Sequence, residues 1–225
     1  ALPIYQRSYS LTMSAEPFFR SPDPVVVAPS TASVVVDGFD STTGMITSSA
    51  ASVDTTTFVT STGSVRQALT VTAVTDFTSR LSASWARSVS LDLSGMRYVL
   101  LWLLTDLTYI GYDRAEGMSP MTLTLSSAGG SSTWRPPLGF SLVNAWSSVT
   151  WDLEATPEAT VGGGVDLAAV TGWAVSLENL VWSAAPLDGS YLIWADDLHA
   201  YPHGSMETTA GSAQLYLPNV EGKAR

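Results

Sequence analysis

A chain of 225 residues that is 45% apolar and holds eight Trp has ample side-chain volume for one sizeable core, so intrinsic disorder is excluded. Its net charge of −10, with Lys223 the single lysine beside nine Arg, repels a phosphate backbone and leaves no nucleic-acid partner. The absence of Cys removes disulfide frameworks and thiolate metal sites, and no apolar run reaches the roughly 20 residues of a membrane helix, so no membrane partner is expected.

Residues 1–32 contain Pro3, Pro17, Pro22, Pro24 and Pro29, which remove backbone donors and fix φ. An extended N-terminal arm is expected there. Its Ile4, Tyr5, Phe18 and Phe19 are too apolar for a solvated linker and are read as interface residues. Ala1–Tyr5 lacks a basic stretch followed by an apolar one, so no leader is expected in the chain as it stands.

The β domain, residues 33–202, opens on Ser33–Asp40, a short apolar strand running into a turn. Thereafter short alternating segments recur between Gly, Ser, Thr and Asp, the pattern of an all-β sandwich or barrel. Leu69, Val71 and Ala73 form one such face; Met121, Leu123 and Leu125 a second; Val149, Trp151 and Leu153 a third; Trp173, Val175 and Leu177 a fourth. Tyr98–Leu104 and Tyr191–Trp194 are apolar on both faces and are read as the middle strands of the sheets, with Trp102, Trp151, Trp173 and Trp194 in the core. Helix is confined to one turn within Val165–Val170.

Two long connections, Thr105–Pro120 and Gly129–Trp146, carry Tyr109, Tyr112, Trp134 and Arg135. Loops on a rigid sandwich are where binding resides, so these four are the candidate glycan- or partner-binding residues. The tail, residues 203–225, is polar except for Gln214–Leu217. Its Leu215, Tyr216 and Leu217 could add a strand to a sheet edge.

The order of Val36–Asp40, the Asp92–Gly95 turn leading into Tyr98–Leu104, Trp146–Leu153, Val165–Val170 before Trp173, and Tyr191–Leu198 resembles the galactose-binding-like jelly roll. It is similar in particular to the carbohydrate-binding modules of plant-polysaccharide hydrolases. The resemblance spans roughly residues 33–202 and implies a jelly-roll-like antiparallel β-sandwich. By resemblance, the opening acidic residues Asp37 and Asp40 and the closing pair Asp196 and Asp197 would lie near a structural Ca²⁺, an ion that takes oxygen ligands. Short-range turn capping by the same carboxylates is the other reading.

No phosphate loop, zinc-type His spacing or nucleophile elbow is present, and Gly162–Gly164 reads as a turn. His199 and His203 are the only histidines, and neither has flanking residues that suggest a Ser-His-Asp triad. A non-catalytic protein is therefore expected. Two function classes remain, and the apolar side chains in both ends favour the first, with the second as the alternative. The first is an assembly protein, such as a phage capsid-decoration, tail or baseplate component, whose ends grip other subunits of a homo-oligomer or larger virion. The second is an extracellular carbohydrate-binding module or glycan adhesin, in which loop aromatics stack on sugar faces.

Overall fold

The computed structural model describes residues 33–60, 62–75, 78–107, 109–110, 121–136, 142–182 and 190–202, with the backbone alone at 73–75, 78–79, 109–110, 142–143 and 179–182. The N-terminal arm, the tail and Tyr112 lie outside these residues. The chain forms β1 (Val34–Asp37), β2 (Met45–Thr47), β3 (Ala51–Asp54), β4 (Ser64–Ala68), β5 (Thr70–Thr75), β6 (Thr78–Leu91) and β7 (Met96–Thr105). It continues through β8 (Tyr109–Ile110), β9 (Met121–Ser127), β10 (Gly130–Trp134), β11 (Leu142–Val143), β12 (Ser147–Asp152), β13 (Ala159–Gly162), β14 (Val170–Trp182) and β15 (Leu192–Pro202). A 3-10 turn, Leu167–Ala169, sits inside the expected Val165–Val170 stretch, where the Asp166 side chain accepts from the Ala168 N–H.

All pairings are antiparallel, as the period-two pattern requires. A six-stranded sheet runs β12-β7-β15-β4-β3 with β1 also on β15, and a seven-stranded sheet runs β13-β10-β9-β14-β6-β2 with β5 on β6. β8 and β11 make a separate two-stranded ribbon. The two large sheets enclose one core, jelly-roll-like in its sandwich form. Val99, Leu101, Leu103, Trp151 and Ile193 face inward from one sheet, and Leu81, Trp85, Leu123, Trp173 and Val175 from the other. The rings of Phe39 and Trp173 meet at 5.6 Å.

A buried amide links the two sheets. Gln67, 1% exposed, sits in β4 of the six-stranded sheet, yet its Nε2 donates to the Ser84 carbonyl in β6 of the other (3.0 Å). Its Oε1 accepts from the Ser49 N–H and the hydroxyls of Ser48 and Ser49. Every polar atom of the amide is thus engaged, which removes the desolvation cost of burying it. At the other end of the seven-stranded sheet Gly130 has φ +142°, and a Cβ there would lie 2.1 Å from the Val161 carbonyl oxygen, so the β9–β10 hairpin requires glycine.

Three expectations are corrected. Trp134, read as a loop platform, is a strand residue of β10 with 4% exposure, and its Nε1 donates to the Ala155 carbonyl. The run Gly130–Trp134 alternates and pairs with Leu123–Ser127, so the supposed loop is a hairpin strand. Trp194 is only half-buried, and Trp102, though 6% exposed, stands outside the core cluster. Both belong to middle strands as expected, but alternation turns them to the outer side of the sheet.

Candidate functional site

The outer face of the six-stranded sheet is set by which residues point inward. Val99, Leu101 and Leu103 fill the core from β7, so Tyr98, Leu100, Trp102 and Leu104 point outward. Ile193 and Ala195 do the same for β15, turning Trp194 and Asp196 out. Beyond an irregularity between Asp196 and His199, Leu198 and Ala200 point in and His199 and Tyr201 point out. The extra residue is accommodated at Asp197, whose φ of 51° is left-handed and unusual for a side chain other than glycine. That bulge lies where β15 changes partners, from β4 at Leu192–Ala195 to β1 at Leu198–Ala200.

Register places these residues in rows. Tyr98 pairs with Tyr201 and with Asp152 of β12; Trp102 pairs with Asp196; Leu104 pairs with Trp194, which pairs in turn with Arg66 of β4. Aromatic rings therefore lie at both ends of one face, with polar groups between and beside them.

Trp194 is held in place by a carboxylate. Its indole N–H donates to Asp54 Oδ2 at 3.0 Å, while Asp54 Oδ1 accepts from the Thr56 N–H, the Thr56 hydroxyl and the Thr57 N–H. The Thr56 hydroxyl, the Trp194 indole and the backbone N–H groups hold the Asp54 carboxyl well below the usual carboxylate range. Asp54 remains an anion through the physiological range, and Arg66 Nη1 lies 3.5 Å away. This hydrogen bond fixes the orientation of the indole ring.

At the opposite end, Arg97 pairs with Asp152 (3.2 Å) and Glu154 (3.2 Å) and lies 4.9 Å from the Tyr98 ring centroid. His199 stacks on Tyr201, with ring centroids 4.8 Å apart. The His199 Nδ1 lies 3.1 Å from Asp197 Oδ1 and its Nε2 lies 3.1 Å from Ser33 Oγ. This Ser33–His199–Asp197 line joins residues up to 166 positions apart, so no local pattern announces it. It ties the residue just before β1 to the bulge of β15.

The four acidic residues matched to a family Ca²⁺ do not fit a shared ion. Asp37 accepts from the Phe39 N–H and is ion-paired to Arg87 at 2.8 Å. Asp40 accepts from the Thr62 N–H and hydroxyl, Asp196 from the N–H groups of Val59 (2.6 Å) and Thr60 (2.9 Å), and Asp197 meets His199. Among the described residues no three His, Asp or Glu side chains are grouped to hold a metal. Burial raises the carboxyl of Asp37, and it pushes that of Asp196 up to about 6.

Of the other sequence candidates, Arg135 is exposed and ion-paired to Glu158 on the far sheet's edge. Tyr109 belongs to β8, and its side chain lies outside the described residues, as do Tyr112 and all interface residues named in the arm and tail, Ile4, Tyr5, Phe18, Phe19, Leu215, Tyr216 and Leu217. Of the four loop candidates, Trp134 and Arg135 lie on the other sheet, away from the aromatic face.

No protein-family model matches the chain, and no curated protein does. Among solved structures, a family 11 carbohydrate-binding module from Clostridium thermocellum, in complex with a β-1,3-1,4-mixed-linked tetrasaccharide, is similar at 11% identity and a TM-score of 0.47, covering 78% of this chain and 98% of that one. The module TmCBM61, in complex with β-1,4-galactotriose, has 15% identity and a TM-score of 0.39, covering 75% of this chain and 97% of that one. The enzymatically active domain of tailspike protein 4 of bacteriophage CBA120 has 11% identity and a TM-score of 0.36 over 72% of this chain and 20% of that one. These likenesses concern the course of the chain through the sandwich.

Proposed function

We propose that the protein is a non-catalytic carbohydrate-binding module and that the outer face of the six-stranded sheet is its binding surface. The observation that carries this reading is Trp194, a half-buried indole outside the core, locked by Asp54 and bordered by Arg66. A pyranose ring presents C–H groups on one face and hydroxyls around its edge. A fixed indole meets the first, and neighbouring carboxylate, guanidinium and hydroxyl groups meet the second. Pre-orientation matters because a side chain already held in place loses little entropy on binding.

The charges favour a neutral glycan. Arg66 and Arg97 already face carboxylates, and a net charge of −10 opposes uronates or sulfated sugars. Affinity electrophoresis in gels containing a soluble β-glucan, galactan, mannan or arabinoxylan, with alginate as the acidic comparison, tests the reading. Retardation by at least one neutral polysaccharide, lost in Trp194→Ala with little change in melting, is expected. Equal migration in all gels rejects it.

The assembly reading rests on the arm and tail, residues 1–32 and 203–225, and nothing in the described face favours it. Deleting both segments separates the two: a module keeps its polysaccharide binding, whereas an assembly protein loses incorporation into its oligomer.

A further inference from the structure

The β3–β4 connection places one large apolar side chain in water, Phe58, which is 40% exposed. Exposure of a single phenyl ring is ordinary, but this one sits on backbone that is held on both sides. Before it, Asp54 Oδ1 takes the N–H groups of Thr56 (2.9 Å) and Thr57 (3.1 Å). After it, Asp196 Oδ2 takes those of Val59 (2.6 Å) and Thr60 (2.9 Å). The Ser64 hydroxyl adds a bond to the Thr57 carbonyl (2.5 Å).

The position of this segment follows from the same bonds. Asp196 alternates with inward-facing Ala195 and so projects from the outer face, yet it is 0% exposed, because residues 59 and 60 lie over its carboxylate. They fill the place beside β15 where β4 has ended and β1 has not begun. Phe58 therefore stands at the border of the aromatic face. One carboxylate also serves both rings, since Asp54 fixes the Trp194 indole and the turn leading to Phe58.

We propose that Phe58 is a second aromatic contact for the glycan, stacking on a sugar unit beside the one that Trp194 receives, with Asp54 setting the position of both. This inference rests on the carbohydrate-binding reading of the face. Four backbone N–H groups on either side of Phe58 are tied to two carboxylates. Their consequence is a phenyl ring in water whose backbone is already ordered, and that lowers the cost of using it in binding.

The test uses the full chain, in the same gels, with Phe58→Leu and Phe58→Tyr beside Trp194→Ala. Leu keeps the apolar character without a π-face; Tyr keeps the ring. Phe58→Leu should weaken polysaccharide affinity about 3- to 10-fold, Phe58→Tyr should restore it to within about twofold, and both should melt like the parent, since stacked rings contribute modest energies. If Trp194→Ala abolishes retardation while Phe58→Leu matches the parent, or if Tyr fails to rescue, the face stands and the role of Phe58 is overturned. If the parent itself is not retarded by any neutral polysaccharide, the reading of the face falls and this inference falls with it.

Discussion

Replacing Arg87 by Met tests how the acidic residue at the end of β1 is neutralised. Asp37 has a side chain only 1% exposed; Arg87, 20% exposed, reaches it from β6 of the opposite sheet and also donates to the Ser41 carbonyl. Met keeps the length and most of the packing of the stem but strands a buried carboxylate. Removing one partner of a buried pair costs about 3 to 5 kcal/mol, and the partial exposure of Arg87 places the expected loss near the lower end, about 3 kcal/mol. For a chain of this size that is a fall in melting temperature of about 6 to 12 °C. The loss depends on pH with a definite sign. Burial raises the native pKa of Asp37 above that of the unfolded chain, so its contribution declines as pH rises through that native value. Without the Arg87 charge the native value rises further, and the gap between variant and parent widens from acid to neutral pH. Thermal melts followed by circular dichroism at pH 4.5 and 7.5 measure both effects. Asp37→Asn in the Arg87→Met background should recover most of the loss. A variant that melts within 2 °C of the parent at pH 7.5 refutes the argument. The same melts in chelator address the Ca²⁺ implied by resemblance: with Arg87 serving Asp37 and the other three carboxylates held by N–H, hydroxyl or imidazole groups, no change is expected. A fall of several degrees, reversed by Ca²⁺, would show that these side chains regroup around an ion.

Asp196 gives a second pH dependence of the same sign. Its carboxyl is raised to about 6 by burial, against an unfolded value of 3.8, so the folded chain binds more protons between the two and stability falls as pH rises through that window. The full swing is about 3 kcal/mol, and Asp196→Asn should flatten it; urea midpoints at pH 4 and 7 that differ by the same amount in variant and parent would contradict the assignment. The Ser33–His199–Asp197 line has the connectivity of an acid–base relay, but here it is expected to join β1 to the β15 bulge. A fluorophosphonate probe should therefore leave Ser33 unlabelled, and His199→Ala should lower the melting temperature by a few degrees. Labelling that vanishes in Ser33→Ala would instead reveal a nucleophile.

How far the site could be read from residues alone depends on what alternation encodes. Strand period and turn residues were enough for the sandwich: Val149-Trp151-Leu153, Met121-Leu123-Leu125 and Trp173-Val175-Leu177 all lie in the core as their spacing implies. The 14-residue strand Thr78–Leu91 carries the same signal in Leu81, Ala83 and Trp85 among serines, and nothing physical hides it. The outer aromatic face was hidden for a different reason. A continuous apolar run suggests cover on both sides, yet the outer row of β7 and β15 is not equally covered: Trp102 is buried, whereas Trp194 is only half-buried. The useful sign lies in β15, where Ile193, Ala195, Leu198 and Ala200 alternate with Trp194, Asp196, His199 and Tyr201 once an extra residue at Asp197 is allowed. Polar residues would not recur on a covered face, so that alternation points to a partly open one. What no local pattern supplies is the long-range pairing that gives the face its form. Asp54 meets Trp194 across 140 positions and Asp196 meets Val59 across 137, and these bonds exist only because β15 returns beside β4 and takes its loop as a lid over its own carboxylate. The aromatic row is thus a product of topology, and Trp134, which reads as a loop residue, is a buried residue of β10 because Gly130–Trp134 finds its partner in Leu123–Ser127.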